Sequence, residues 1–388
     1  MRRYLIIFAV SWLLPLTGFL SVKLLLDPYR IYHQPWIRDN YYLGRPDMRI
    51  QASGIINTED FDSIVLGDSM AANFSPSEAA NKFGGKFVNI SLDGSSAPER
   101  SLVLNYALKK KEITMVIFSI DRVDLAVDSI ANTGIARYAY LYDDNRLNDL
   151  LLYLSHWRDL RFAFCGNRFV SSDRRCKEGR DLERLCEWYS EPGNARRIGG
   201  LQKWFESAKD DIRVMSALRG VSEEIEAIAS GTSPAVDWAE VRGAQSRHQQ
   251  VFRTHILEVA AEHPATQFYL FFPPFSRLRY AMLKQGNPQD FESYLEIIRF
   301  VVRDCAKYHN IQVFGFDTES FLDDIANYID TSHYDQGINS EMLRWMRDGV
   351  HALTPLNVDD YIEMITAKAE TFSLRKIGAE IRSFSGWK

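Results

Sequence analysis

The chain has 388 residues, a formal net charge of −5, 46% hydrophobic residues and 25% charged residues. This composition is typical of a globular protein, and the lack of a basic excess argues against nucleic acid as a partner. The length is sufficient for a large hydrophobic core, in two domains or in one domain with a large insertion.

The first 26 residues are more apolar than the rest of the chain. Arg2 and Arg3 precede a run that contains no further charged residue until Lys23. About 20 apolar residues in a helix span a bilayer. A cleaved signal peptide is the alternative, but it has a shorter apolar region and small residues at its cleavage site, which are missing here. Residues 1–26 are therefore predicted to be an uncleaved transmembrane signal anchor.

The two N-terminal arginines also predict the orientation of this anchor. The positive-inside rule keeps Arg2 and Arg3 in the cytoplasm, so the rest of the chain is predicted to be periplasmic or extracellular. Residues 27–60 are polar and aromatic without a sustained period. They are predicted to be a juxtamembrane segment that lies against the main domain.

From residue 61 onwards, short apolar runs alternate with amphipathic segments. Strands are predicted at 63–66, 86–91, 114–120, 267–272 and 310–316. Helices are predicted from residue 76 and at 98–110, 289–308, 339–347 and 357–371. The first of these helices has Ser75 as its predicted N-cap, Pro76 at its first position and Glu78 in place for a capping box. Strands that alternate with helices predict an α/β protein with a parallel sheet covered on both faces.

Residues 122–266 interrupt this alternation with mostly helical, polar segments. A structureless loop of that length is improbable in a compact domain. The segment is therefore predicted to be a mainly helical insertion above one edge of the sheet, between domain parts 61–121 and 267–388.

Three of the four cysteines lie close together in this segment. A disulfide among Cys165, Cys176 and Cys186 is compatible with an oxidising compartment, and its pairing stays open. The spacing is not that of a zinc site, because no C-x-x-C pair occurs. No metal and no cofactor are predicted.

A serine directly follows the first predicted strand, in the sequence Gly67-Asp68-Ser69. Gly94 follows the second strand, and ligands of open parallel sheets bind beyond the carboxyl ends of the strands. Ser69 could be an ordinary turn residue, but this position favours a nucleophile. Asp68 is assigned a supporting role, in which it satisfies backbone N–H groups of the turn.

A serine nucleophile needs a base and a group that orients the base. Two histidines have an aspartate three residues before them, in the pairs Asp330–His333 and Asp348–His351. His333 falls on a late loop that is expected on the same side of the sheet as Ser69. His351 directly follows the end of a predicted helix. The position therefore favours His333 as the base and Asp330 as its orienting group.

These motifs together resemble the SGNH (GDSL-like) hydrolase superfamily. Gly67-Asp68-Ser69 matches its first block, Gly94 its second, and Asp330-Thr331-Ser332-His333 its last. The resemblance implies a flavodoxin-like three-layer α/β/α domain. It also implies that Ser69 is the nucleophile, that His333 is the general base, and that the N–H groups of Ser69 and Gly94 form an oxyanion hole.

One block of the chain departs from the superfamily pattern. The family usually has Gly-x-Asn-Asp after the third strand, and this asparagine completes the oxyanion hole. The corresponding stretch here, Phe118-Ser119-Ile120-Asp121-Arg122, contains no asparagine. The third oxyanion donor therefore stays open.

The chain resembles a narrower group of proteins in three features. These are this departure, the predicted N-terminal anchor and the sequence Asp27-Pro28-Tyr29. The group comprises the membrane-anchored SGNH-like proteins of bacterial envelope acylation, of the alginate O-acetylation and teichoic-acid D-alanylation type. The resemblance implies a serine acyltransferase that acetylates a cell-envelope or secreted polysaccharide beside a multi-pass membrane O-acyltransferase. An esterase that removes acetyl groups and a catalytically inactive partner protein are the alternatives.

Overall fold

The computed structural model describes residues 2–34, 48–155, 181–191, 193–231 and 236–384. In these residues six strands form one sheet in the order β2-β1-β3-β4-β5-β6. The strands are β1 (Ser63–Leu66), β2 (Phe87–Asn89), β3 (Met115–Ser119), β4 (Gln267–Phe272), β5 (Ile311–Gly315) and β6 (Ala352–Leu353). Strands β1 to β5 are parallel, and β6 is antiparallel to β5.

All five predicted strands are present, and β1 and β4 have the predicted bounds. The sequence predicted a purely parallel sheet. This prediction is wrong, because the antiparallel strand β6 makes the sheet mixed. This strand has only two residues, which is too short to show an alternating pattern. The chain is an α/β protein, as predicted.

Helices flank the sheet on both sides. They are α1 (Arg2–Leu26), α2 (Met48–Thr58), α3 (Pro76–Phe83), α4 (Ala97–Lys110), α5 (Arg146–Ser155), α6 (Leu201–Ala208), α7 (Ile212–Ala229), α8 (Trp238–Phe252), α9 (Glu258–Glu262), α10 (Arg277–Gly286), α11 (Pro288–Cys305), α12 (Gln336–Asp348), α13 (Val358–Thr371) and α14 (Leu374–Arg382). A π-helical turn, Arg253–Leu257, joins α8 to α9. The sequence did not predict α2, α10 or α14.

Two hydrophobic cores lie on opposite faces of the sheet. Along β3, Val116 and Phe118 belong to one core and Met115 and Ile117 to the other, as the twofold period of a strand requires. Helices α2, α4, α8, α11 and α13 pack in the first core, and α3, α6, α7, α10, α12 and α14 in the second. This arrangement is consistent with the predicted three-layer α/β fold.

The segment 122–266 contains helices and short 3-10 turns, and its described residues contain no strand. Its described helices contribute to both hydrophobic cores of the sheet. Helices α6 and α7 pack in the second core and α8 packs in the first. The sequence shows that these helices are amphipathic, but it does not show which face of the sheet receives each apolar stripe.

The predicted anchor forms α1, but no helix among the described residues is long and apolar enough to cross a membrane. The chain that follows α1 is fixed to the main fold. The buried carboxylate of Asp27 accepts the backbone N–H groups of Ile31, Tyr32 and His33 at 3.0, 2.7 and 2.9 Å. Arg146 Nη1 donates to the Ile31 carbonyl at 2.6 Å, and Tyr29 and Ile31 are buried in the first core. Residues 29–31 therefore make the predicted contact with the main domain.

The start of α3 confirms one part of the predicted capping box and corrects the other. Ser75 Oγ accepts the N–H of Glu78 at 3.0 Å, so Ser75 is the N-cap. The carboxylate of Glu78 does not return to Ser75. It accepts the hydroxyl of Ser340 at 2.6 Å and pairs with Lys82 at 3.3 Å. A polar group from α12 thus replaces the local contact and ties α3 to α12.

Candidate active site

Ser69 lies in the turn after β1. The next strand, β2, is added on one side of β1, and all later strands are added on its other side. Because β2 and β3 lie on opposite sides of β1, the connections leave on opposite faces and open a crevice at this point. The turn requires glycine at position 67, since a Cβ there would lie 2.3 Å from Ser119 Oγ. Asp68 Oδ1 accepts the N–H of Met70 at 2.9 Å, which is the supporting role that the sequence predicted.

His333 brings its imidazole to Ser69 from the loop between β5 and α12. Its Nε2 lies 2.9 Å from Ser69 Oγ, and its Nδ1 lies 2.8 Å from Asp330 Oδ2. Asp330 Oδ1 accepts the N–H groups of Ser332 and His333, each at 2.8 Å. A carboxylate at Nδ1 favours the tautomer that leaves the lone pair of Nε2 facing the serine hydroxyl. The structure thus brings Ser69, His333 and Asp330 together.

The charges of Asp330 and His333 support each other. Burial disfavours the imidazolium, but the Asp330 carboxylate outweighs burial and holds the pKa of His333 above its usual range. Burial also disfavours the Asp330 carboxylate, but the charge of His333 and the hydrogen bonds to Asp330 hold the pKa of Asp330 below its usual range. Asp330 therefore stays ionised while His333 takes up a proton, as a general base requires.

Ser69 and Gly94, the two predicted oxyanion donors, line the same cleft as His333. Within the described residues, the N–H groups of Ser69 and Gly94 have no hydrogen-bond acceptor. Gly94 is exposed and has a φ of 55°, a left-handed conformation that favours glycine. Ser69, Gly94 and His333 line a cleft of about 350 Å³. Both N–H groups are available to bind a developing oxyanion.

After β3, where the superfamily has its asparagine, this chain has an acidic and a basic residue. Asp121 and Arg122 line the cleft after β3, and no asparagine is among the described residues that line it. Burial and the negative charge of Asp68 raise the pKa of Asp121 to about 6. Arg122 pairs with Asp290 at 2.8 Å. Among the described residues that line the cleft, no side-chain amide accompanies the two predicted backbone donors.

Buried Arg100, on α4, holds three loops of the cleft in place. Its Nη1 donates to the Ser119 carbonyl at 2.8 Å, and its Nη2 donates to the Ser95 carbonyl at 3.2 Å. The guanidinium also pairs with Asp124. Because Ser95 adjoins Gly94, this one side chain couples the oxyanion loop to the end of β3 and to the turn beyond it.

Trp188, from the inserted segment, covers the triad and was not predicted from the sequence. Its Nε1 donates to the Ser69 carbonyl at 2.7 Å, across 119 positions of sequence. Its ring meets the His333 ring edge to face, with centroids 5.2 Å apart and an interplanar angle of 86°. Asn73 Oδ1 accepts the backbone N–H of Trp188 at 3.1 Å. No motif or spacing in the sequence links this tryptophan to Ser69.

The neighbours of Trp188 fix residues 181–191 to the sheet. The buried thiol of Cys186 donates to the Asn89 carbonyl, at the end of β2, at 3.1 Å. Glu183 accepts the N–H of Ser77, in the first turn of α3, at 3.0 Å. The predicted disulfide partners of Cys186, which are Cys165 and Cys176, lie outside the described residues.

His351, the alternative base, lies at the end of α12. Gly349 caps this helix in a left-handed conformation with a φ of 68°, as predicted. His351 Nε2 lies 3.5 Å from Glu319 Oε1, and its ring packs against Trp345 with centroids 5.0 Å apart. His351 is not among the residues that line the cleft. The geometry therefore agrees with the choice of His333.

No protein-family model and no curated protein sequence matches the chain. The similarity to the SGNH superfamily therefore stays a prediction that rests on the residues themselves. In the part of the chain that the structure describes, no group of three or more histidine, cysteine, aspartate or glutamate residues is arranged to hold a metal ion.

We expect Asp330→Asn to lower the pKa of His333, because the carboxylate that favours the imidazolium is lost. NMR titration of the His333 ring measures this pKa in the full chain. The wild-type value should lie above about 6.5 and the variant value below it. A base with a lower pKa stays neutral in more acidic solution, so any acid limb of activity should also move to lower pH.

Asp348→Asn is the matched control for Asp330→Asn, because Asp348 has the same spacing to His351 and pairs with Arg347 outside the cleft. It should leave the titration of His333 unchanged. An unchanged His333 pKa in Asp330→Asn would contradict the assigned role of Asp330.

If Ser69 is the predicted nucleophile, we expect Trp188→Phe to slow nitrophenol release from 4-nitrophenyl acetate by about 3- to 10-fold, the worth of one buried hydrogen bond. Phenylalanine keeps a ring against His333 but removes the donor to the Ser69 carbonyl. Trp204→Phe is the control, because it removes a similar bond, of 3.0 Å to the Tyr328 carbonyl. Equal rates for the two variants would show that Trp188 does not position Ser69.

Proposed function

We propose that the protein is an SGNH-type serine acyltransferase that acts outside the cytoplasm on a cell-envelope or secreted polysaccharide. One observation carries the proposal. Ser69 Oγ, His333 and Asp330 form a continuous chain of contacts at 2.9 and 2.8 Å in a cleft that Gly94 also lines. A nucleophile, its base, the orienting group and oxyanion donors are the parts that acyl transfer needs.

In the first half-reaction, Ser69 Oγ attacks the carbonyl carbon of an acyl donor while His333 Nε2 takes the hydroxyl proton. The N–H groups of Ser69 and Gly94 bind the oxyanion that forms. When the tetrahedral intermediate collapses, the bond to the leaving group breaks and His333 returns the proton to it. An acyl ester of Ser69 is the product.

In the second half-reaction, a sugar hydroxyl attacks the acyl ester and gives its proton to His333. Collapse of this second intermediate releases the acylated sugar, and the proton returns to Ser69 Oγ. Asp330 stays ionised throughout and stabilises the imidazolium in both halves. The cycle restores the free enzyme without a cofactor.

The strand order supports the proposed superfamily. The parallel strands have the order 2-1-3-4-5, which is the flavodoxin-like order of doubly wound sheets. The nucleophile follows the strand at which this order reverses. The three motifs that resemble the superfamily also meet in space, although the first and last are separated by 264 positions.

Ester hydrolysis is the second candidate, because it shares the first half-reaction. The side chains of His333 and Asp330 keep 30% and 38% of their surface exposed, so water has access to the acyl ester. Exclusion of water and binding of an acceptor decide between the two outcomes. The lack of an asparagine among the described residues that line the cleft favours an inactive partner protein, whereas the aligned triad favours an enzyme.

The membrane anchor, the extracytoplasmic site and the multi-pass O-acyltransferase partner stay predictions from the sequence. They are consistent with transfer, since an acyl group that is delivered at a membrane needs a recipient site there. The acyl group is proposed to be acetyl because of the family resemblance.

The full chain should form acetylated sugar from 4-nitrophenyl acetate only when an acceptor is present. Cello-oligosaccharides serve as a neutral acceptor and oligogalacturonides as an anionic one, and mass spectrometry detects the acetylated products. Ser69→Ala should abolish both product formation and nitrophenol release. Acetate release without acetylated sugar would identify an esterase, and equal activity of wild type and Ser69→Ala would exclude both enzyme proposals.

A further inference from the structure

The cleft beside Ser69 contains a guanidinium group without an ion-pair partner in the part of the chain that the structure describes. Arg279 lies in the first turn of α10, is half-buried, and lines the cleft together with Ser69 and His333. Its backbone N–H donates to Ser276 Oγ at 3.2 Å. Its side chain makes no hydrogen bond or ion pair with a described residue.

Other charged side chains of the same cleft have partners. Arg122 pairs with Asp290 at 2.8 Å, and Asp124 pairs with buried Arg100. Asp68 Oδ1 accepts the N–H of Met70. Burial removes water from a charged group, and a charge that is withdrawn from water needs a compensating partner. The charge of Arg279 acts on the carboxylates of Asp121 and Glu224, but neither of them forms an ion pair with it. Its N–H groups therefore have no hydrogen-bonded anion among the described residues.

Asp121 shares the cleft with Arg279, but the two side chains do not form an ion pair. Burial and the charge of Asp68 raise the pKa of Asp121 to about 6, although Arg122 and Arg279 act in the opposite direction. Asp121 thus carries its negative charge less readily than an exposed aspartate. No hydrogen bond or ion pair joins its carboxylate to Arg279 in the described part of the chain.

We propose that the substrate which reacts at Ser69 carries an anionic oxygen group and that Arg279 binds this group. The inference rests on the proposed function, because it takes the cleft to be the substrate site. Guanidinium presents two parallel N–H groups, which match the two oxygens of a carboxylate or a phosphate. Arg279 would then select an acidic substrate over its neutral counterpart.

Binding of matched probes to the full chain with Ser69→Ala tests this inference without any need for turnover. The probes are 4-acetoxybenzoate, 4-acetoxyphenyl phosphate and the neutral methyl ester of 4-acetoxybenzoate. Isothermal titration calorimetry should show at least about 10-fold tighter binding of one or both anions than of the neutral ester. The two anionic probes distinguish a carboxylate from a phosphate as the preferred group.

When Arg279→Gln is added, the anionic probes and the neutral ester should bind about equally well. Arg279→Lys should restore part of the preference for the anions. Arg122→Gln is the matched control in the same cleft and should keep the preference, because Arg122 already pairs with Asp290. The inference is overturned if anions and neutral ester bind equally, if neither binds, or if Arg279→Gln keeps the preference. Since Ser69 is absent from all these variants, a failed enzyme proposal would leave the binding result intact.

Discussion

The hydrogen bond between Ser69 and His333 depends on the parallel arrangement of the central strands. Parallel strands place their carboxyl ends at one edge, so loops that are far apart in the sequence meet there. Ser69 follows β1 and His333 follows β5, and their contact at 2.9 Å joins residues 264 positions apart. A slip in register between these strands would separate the serine from its base, because each loop moves with its strand.

The inserted segment is part of the site and not only an addition to it. Trp188 binds the backbone of Ser69 and packs on His333, while Cys186 and Glu183 fix the same stretch to β2 and α3. These contacts limit the movement of Ser69 and of His333 together. On the other side of the cleft, Arg100 couples the Gly94 loop to β3. Preorganisation of this kind reduces the reorganisation that the reaction requires.

The sequence predicts the features that depend on local pattern. The apolar runs of β1 and β4 predict their bounds, and the Asp330–His333 spacing predicts the contact between these two side chains. Sequence-based prediction fails where tertiary contacts determine the partner of a side chain. Glu78, for example, binds Ser340 of α12 in place of the local N-cap. Trp188 and Arg279 could not be predicted, since one depends on the path of an insertion and the other on which charges stay unpaired.

The central claim is that Ser69 is a nucleophile activated by His333. Mass spectrometry of the full chain after treatment with a fluorophosphonate, which reacts with activated serine hydroxyls, tests it most directly. The account predicts one adduct, located on Ser69, that is lost in His333→Ala and kept in His351→Ala. An unmodified Ser69, or an equal yield of adduct in His333→Ala, would contradict it.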